Sequence, residues 1–219
     1  MPISKIAVVG AAGNLGHRVV THALDHGLDV RAMVRNPEQA DAIDARAEIV
    51  CGDLFKMTAE DLEGVDVLVS AFGSGLSSDP SLNEKACAAY IELARTAGVS
   101  IVAIMGSGSL FADDTRTTRV YELSGASQPL RPISEATARG LALLDDAEDV
   151  DWCAVTPGLT FDPNGSFHDV CDVKLDLSRV VQAQEVSYST YEDVAETMVR
   201  MASDGNHVHE LVCVLSPRA

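Results

Sequence analysis

The sequence predicts an α/β fold: a doubly wound parallel sheet in a single domain. Three observations predict it. Short apolar runs alternate with amphipathic stretches along the whole chain, as repeated strand–helix–strand units require. Within Val65–Ser70 the triplet Val67-Leu68-Val69 is continuously apolar, as a strand covered on both faces should be. The chain has 219 residues and is 47% hydrophobic, enough for one substantial core.

The elements follow in order. Lys5–Val9 reads as the first strand and Leu15–His26 as a helix stopped by Gly27. Asp29–Val34 and Glu48–Cys51 are the second and third strands, and Val65–Ser70 the fourth. Leu82–Ala97 is a helix whose Ala86, Ala89, Tyr90, Leu93 and Ala97 share a face, closed by Gly98. Ser100–Met105 is a fifth strand. Ser134–Ala147 is a helix capped by Ser134, and Trp152–Thr156 a sixth strand. Thr190–Ala202 is a last helix, with Val194, Met198 and Met201 aligned, and His209–Leu215 a last strand. Phe111–Ile133 and Phe161–Gln184 carry no clear period. Both follow strand C-termini, where open α/β sheets bind ligands, so loops 111–133 and 161–184 are expected to wall the substrate site.

Composition narrows the function. The net charge of −17 would repel a phosphate backbone, which disfavours nucleic-acid binding. No apolar run approaches the roughly 18 residues of a membrane span. The N-terminus shows no signal-peptide pattern, so a cytoplasmic home is expected. Cys51, Cys87, Cys153, Cys171 and Cys213 are widely spaced and never form Cys-x-x-Cys, which argues against disulfides and zinc. His17, His22 and His26 read as surface residues of the first helix, His207 and His209 as structural. His168, in the second irregular stretch, is the histidine that would face a substrate.

The chemical signal is Gly10-Ala11-Ala12-Gly13-Asn14-Leu15-Gly16. It leaves the first strand and opens the first helix, the context a dinucleotide fingerprint requires. Glycines let the backbone approach a pyrophosphate, whose charge the helix N–H groups then face. The fold is therefore Rossmann-type. At the end of the second strand, an NAD site carries an acidic residue for the ribose 2′-hydroxyl. This chain carries Arg35, whose guanidinium suits a 2′-phosphate, so NADP(H) is predicted over NAD(H).

Four segments together, Ile6–Gly16, Val34-Arg35-Asn36-Pro37, Gly52-Asp53-Leu54 and Ser70-Ala71-Phe72-Gly73, resemble the atypical short-chain dehydrogenase/reductases. Within them the chain is most similar to the NADPH–flavin reductase and NmrA-like group, which includes biliverdin-reductase-B-like proteins. The resemblance implies that Gly10, Ala12, Gly13, Asn14 and Leu15 wrap the pyrophosphate and that Arg35 meets the 2′-phosphate. It implies that Asp53 and Leu54 hold the adenine and that Ala71, Phe72 and Gly73 line the ribose side. Gly106 and Ser107, with Thr156, Pro157 and Gly158, would lie near the nicotinamide.

One expected feature is missing. Short-chain dehydrogenases use Tyr-x-x-x-Lys, in which the lysine lowers the tyrosine pKa. Four residues after Tyr90, Tyr121, Tyr188 and Tyr191 stand Ala94, Gly125, Glu192 and Ala195. The sequence thus favours a reductase passing hydride to a flavin, quinone or similar small-molecule acceptor, with Ser107 or Ser109 orienting it and Tyr121 as a further donor. The alternatives are a non-catalytic NADP(H)-binding sensor of NmrA-like type and, more remotely, a nucleotide-sugar epimerase-like enzyme.

Overall fold

The computed structural model describes residues 2–123, 129–168, 174–176 and 187–217. Cys171 lies outside them. The strands are β1 (Lys5–Val9), β2 (Asp29–Val34), β3 (Glu48–Cys51), β4 (Val67–Ser70), β5 (Ser100–Ile104), β6 (Trp152–Pro157), β7 (Thr160–Asp162), β8 (Lys174–Asp176), β9 (Tyr188–Thr190) and β10 (Glu210–Leu215). The helices are α1 (Gly16–Asp25), α2 (Leu82–Ala97), α3 (Arg131–Asp145) and α4 (Tyr191–Asp204).

Eight strands form one sheet in the order β3-β2-β1-β4-β5-β6-β10-β8. Seven of them run parallel; β8 runs antiparallel to β10. The fold is a Rossmann-type α/β domain, as the sequence predicts, with one antiparallel edge added. Side-chain alternation builds the two layers. Ile6 and Val8 of β1 face α1 and α4, while Ala7 and Val9 face α2 and α3. On the first side Val19, Val20 and Ala23 meet Val194, Met198 and Val199; on the second, Ala86, Tyr90 and Ile91 meet Leu141 and Leu144.

The sequence misplaces some boundaries. α3 starts at Arg131 rather than at a Ser134 cap. Pro132 stands in its first turn, where its fixed φ and missing N–H suit a helix start, and the Ser134 N–H already donates to Leu130 O at 2.9 Å. The irregular stretches also hold structure. β7 pairs in parallel with β9, and Phe161 stacks on Tyr191 with ring centroids 3.8 Å apart. Phe111 bridges Arg119, whose guanidinium lies 4.6 Å from the Phe111 ring centre. Among the described residues no helix is long and apolar enough to cross a membrane.

Candidate functional site

Strand order reverses between β1 and β4, and their C-terminal ends open into a groove of about 410 Å³. This is the crevice where open α/β sheets bind nucleotides. The glycine loop forms its floor. Gly10 sits at φ 76°, a left-handed conformation that a side chain would strain, and its carbonyl accepts from Gly13 N–H at 2.9 Å. A Cβ at Gly16 would lie 2.0 Å from that same carbonyl oxygen. Helix α1 therefore starts in backbone contact with the loop, which only glycine permits. Its first turn has no side-chain cap and no acidic residue. The His17 N–H already donates to Gly13 O at 3.1 Å; the other leading N–H groups, which the helix cannot satisfy internally, face an anion.

Gly10, Ala12 and Gly13 line the groove at this end; Arg35, Asp53 and Leu54 line it at the other. Ala71, Phe72 and Gly73 form the wall between. Asn14 is exposed beside the loop, whereas Leu15 is buried in the α1 core, so only its backbone faces the loop. Gln39, which the sequence reading passes over, fixes the turn after β2: its Oε1 accepts from Arg35 N–H at 3.1 Å and from Asn36 N–H at 3.2 Å. Asp53 accepts from Phe55 N–H at 3.2 Å through one carboxylate oxygen. Phe55 in turn meets the edge of Phe72.

A second cavity, of about 160 Å³, opens between α2 and α3 and shares Phe72, Gly73 and Ser74 with the groove. Gly106 lines it, together with Ser70, Asn83, Tyr90 and, from α3, Ile133 and Thr137. Most of its polar groups are internally satisfied. Asn83 donates to Ser74 Oγ at 2.6 Å and to Pro80 O at 3.1 Å, and accepts from Ser74 N–H at 3.0 Å. The Thr137 hydroxyl donates to Ile133 O at 2.8 Å. Cys87 Sγ donates to Gly140 O at 3.0 Å, which leaves the Tyr90 hydroxyl to donate to Sγ at 2.7 Å. Burial pushes the Cys87 thiol up to about 12 and the Tyr90 phenol up as well, so both stay protonated at neutral pH.

Other expected residues lie elsewhere. Ser109 is fully buried and its hydroxyl donates to Gly106 O at 2.6 Å. It closes the turn after β5 and has no free face for an acceptor, which removes it from the catalytic candidates. Ser107 starts that turn, half-buried, and lines neither cavity. Thr156, Pro157 and Gly158 are buried; the Thr156 hydroxyl points to Val212 O at 3.3 Å, and none of the three lines either cavity. Of the described residues of 111–133 and 161–184, Ile133 alone reaches the lining.

Tyr121 lies in a turn, with its Cβ near Gly108. His168 turns to α4, where Asp193, fully buried, accepts from its backbone N–H at 2.8 Å and faces its Nδ1 at 2.7 Å.

His22 departs furthest from expectation. It is not a surface residue: its Nε2 lies 3.0 Å from Glu192 and its Nδ1 3.1 Å from Glu196, both on α4. Two carboxylates can be served only by the doubly protonated ring. Burial lowers its pKa, yet the two glutamates outweigh burial and hold the pKa above 6.5. Arg18, also on α1, extends this seam to the loop. It donates to Glu192 at 2.6 Å, to Asn14 O at 2.5 Å and to Pro163 O at 2.9 Å.

Known proteins share this architecture. A family model for NAD(P)H-binding proteins matches residues 10–205. The uncharacterised protein YwnB of Bacillus subtilis (strain 168) is 29% identical over 213 residues, 97% of this chain and 98% of that one. The crystal structure of SP1627 from Streptococcus pneumoniae TIGR4, described as a "putative NADH-flavin reductase", is 29% identical with a TM-score of 0.86. It covers 98% of this chain and 100% of its own. ChuY, an anaerobilin reductase of Escherichia coli O157:H7, shares the fold at 16% identity and a TM-score of 0.75, over 99% of this chain and 98% of its own. The family match runs from the first loop glycine to the end of α4, and the fold is that of the atypical short-chain dehydrogenase/reductases its motifs resemble: the chain belongs to the NAD(P)H-binding family.

Proposed function

We propose that the protein is an NADPH-dependent reductase that passes hydride to a flat conjugated acceptor, a flavin or a quinone, without an acid–base pair of its own. The observation that carries this reading is the joining of two spaces: a nucleotide-sized groove over the glycine loop runs through Phe72, Gly73 and Ser74 into a smaller cavity beside Gly106. The first suits a cofactor and the second part of an acceptor.

The groove residues fit the cofactor. The crowded backbone of Gly10, Gly13 and Gly16 and the uncapped start of α1 receive a pyrophosphate. Arg35, exposed at the far end, meets a 2′-phosphate. Asp53 accepts from the adenine amino group beside Leu54. When bound, the nicotinamide supplies the hydride. The chain supplies orientation and excludes water, and its apolar wall of Phe72, Ile133 and Met105 is suited to both. One turn apart on α3, Ile133 and Thr137 face the cavity at the spacing that a Tyr/Lys pair needs, and neither can act as an acid. The proton that completes reduction therefore comes from solvent.

Two measurements test this. Protein, NADPH and FMN, FAD or a quinone are mixed and cofactor absorbance is followed; turnover is expected with at least one acceptor. Tight NADPH binding with no turnover would leave the non-catalytic sensor. For cofactor choice, Arg35→Ala is expected to weaken NADPH binding tenfold or more, as loss of a charge-assisted hydrogen bond of about 1.5–3 kcal/mol implies, and to spare NADH. Equal affinity for both cofactors, unmoved by the substitution, would overturn the NADP assignment.

A further inference from the structure

Ser70 is the last residue of β4, paired with Val9 at the end of β1, and so stands where the groove meets the second cavity. The period of the strand sets its direction. Val67 and Val69 pack with α1 and α4, and Leu68 packs with α2 and α3. Ser70, two residues after Leu68, projects to the α2–α3 side, where it lines the cavity. It is only 1% exposed.

A buried hydroxyl is ordinarily hydrogen-bonded. The oxygens of Asn83, Thr137 and Tyr90 around the cavity each have a partner, and Ser74 Oγ accepts from Asn83. Among the described residues, Ser70 Oγ has none. Four-way satisfaction of its neighbours means that none of them is arranged to serve it. Ser70 Oγ is not sealed off, since Arg31 Nε is the one buried side-chain atom without a partner among the described residues; the hydroxyl opens onto the cavity, so a ring that displaces solvent there must offer it an acceptor in its place.

We propose that Ser70 is a specificity-determining residue, whose hydroxyl donates a hydrogen bond to a ring carbonyl of the acceptor seated between α2 and α3. The proposal rests on the reductase reading and narrows its substrate class to conjugated acceptors with a carbonyl at the ring edge. Size agrees. An apolar protein cavity of ~150 Å³ holds one benzene ring, and this one measures about 160 Å³. It therefore admits one ring of an acceptor, the others lying toward the groove. The wall of Phe72, Met105 and Ile133 covers the ring faces, and the free donor is at Ser70.

The test compares two acceptors, menadione, which carries ring carbonyls, and methylene blue, which carries none, in the wild type, Ser70→Ala and Ser70→Thr. Ser70→Ala is expected to lower kcat/KM for menadione about tenfold, the usual effect of one lost hydrogen bond. Methylene blue reduction and the Kd for NADPH should stay unchanged, and Ser70→Thr should restore menadione. Equal loss with both acceptors would mean a structural role and overturn the proposal; so would an unchanged menadione rate. A weakened Kd for NADPH would assign the hydroxyl to the cofactor and overturn it too. If the wild type turns over neither of these acceptors nor FMN or FAD, the reductase reading fails by itself. Titration of menadione into the NADP⁺-loaded protein then decides Ser70: tenfold weaker binding to Ser70→Ala supports the donor, equal binding rejects it.

Discussion

The carbonyl oxygen of Gly10 governs the residue-level design of the cofactor loop. It accepts from Gly13 N–H at 2.9 Å and stands where a Gly16 Cβ would need to be. Gly16→Ala forces backbone apart, so a stability loss of about 1–3 kcal/mol is expected from overpacking. Urea denaturation measures it, and NADPH affinity should fall with it; an alanine variant as stable as the wild type would mean that α1 shifts freely. This loop is legible in sequence because all its contacts are local. Arg18 is not, because its partner Glu192 is 174 residues away. Ser70 is hidden for a different reason: in sequence it is one polar residue ending an apolar run, and only the register and the neighbours' bonds show that its hydroxyl is spare. Ser109 shows the converse error. A serine in Gly-Ser-Gly-Ser beside the site reads as chemistry, yet it is spent on closing its own turn.

At the scale of elements, the long periodic segments are legible and the short ones are not. β1, β2 and α2 have the ranges their patterns predict, since five or six strand residues or sixteen helix residues give a period room to show. β7, β8 and β9 are three residues each, too few for alternation to register. The seam between α1 and α4 is likewise invisible in sequence, although it carries the clearest pH response. His22 gains its partners on folding and its pKa is raised, so its stabilisation is present at lower pH and is lost as pH rises through that raised value, above 6.5. Glu196 is depressed by its bond to His22, against burial, so its contribution is present above 4.5 and is lost as pH falls through its lowered value. The thermal midpoint of the wild type is expected to decline on the alkaline side of neutrality more steeply than that of His22→Gln. Parallel curves for the two proteins would show that the histidine titrates without consequence for folding.

For the whole molecule, 33 acidic residues face 16 basic ones. Such an imbalance strains the compact state through self-repulsion. Raising ionic strength from about 0.01 M to about 0.15 M shortens the Debye length from about 30 Å to about 8 Å. The thermal midpoint should therefore rise with salt, as differential scanning fluorimetry would record. A fall would mean that exposed pairs such as Arg95–Asp149, with atoms 2.5 Å apart, outweigh the global field. Architecture at this scale follows from alternation of apolar and amphipathic segments, which is why the parallel order is legible while the reversed direction of the edge strand β8 is not.

That reversed strand bears on solubility during the life of the protein. β10 is six residues of nearly continuous apolar sequence, and without a neighbour on its outer side its amides would be open to any extended chain. By pairing with Cys213, Val214 and Leu215, β8 occupies that template from within the same molecule. Over those three residues, an extended chain that would add to β10 must first displace β8.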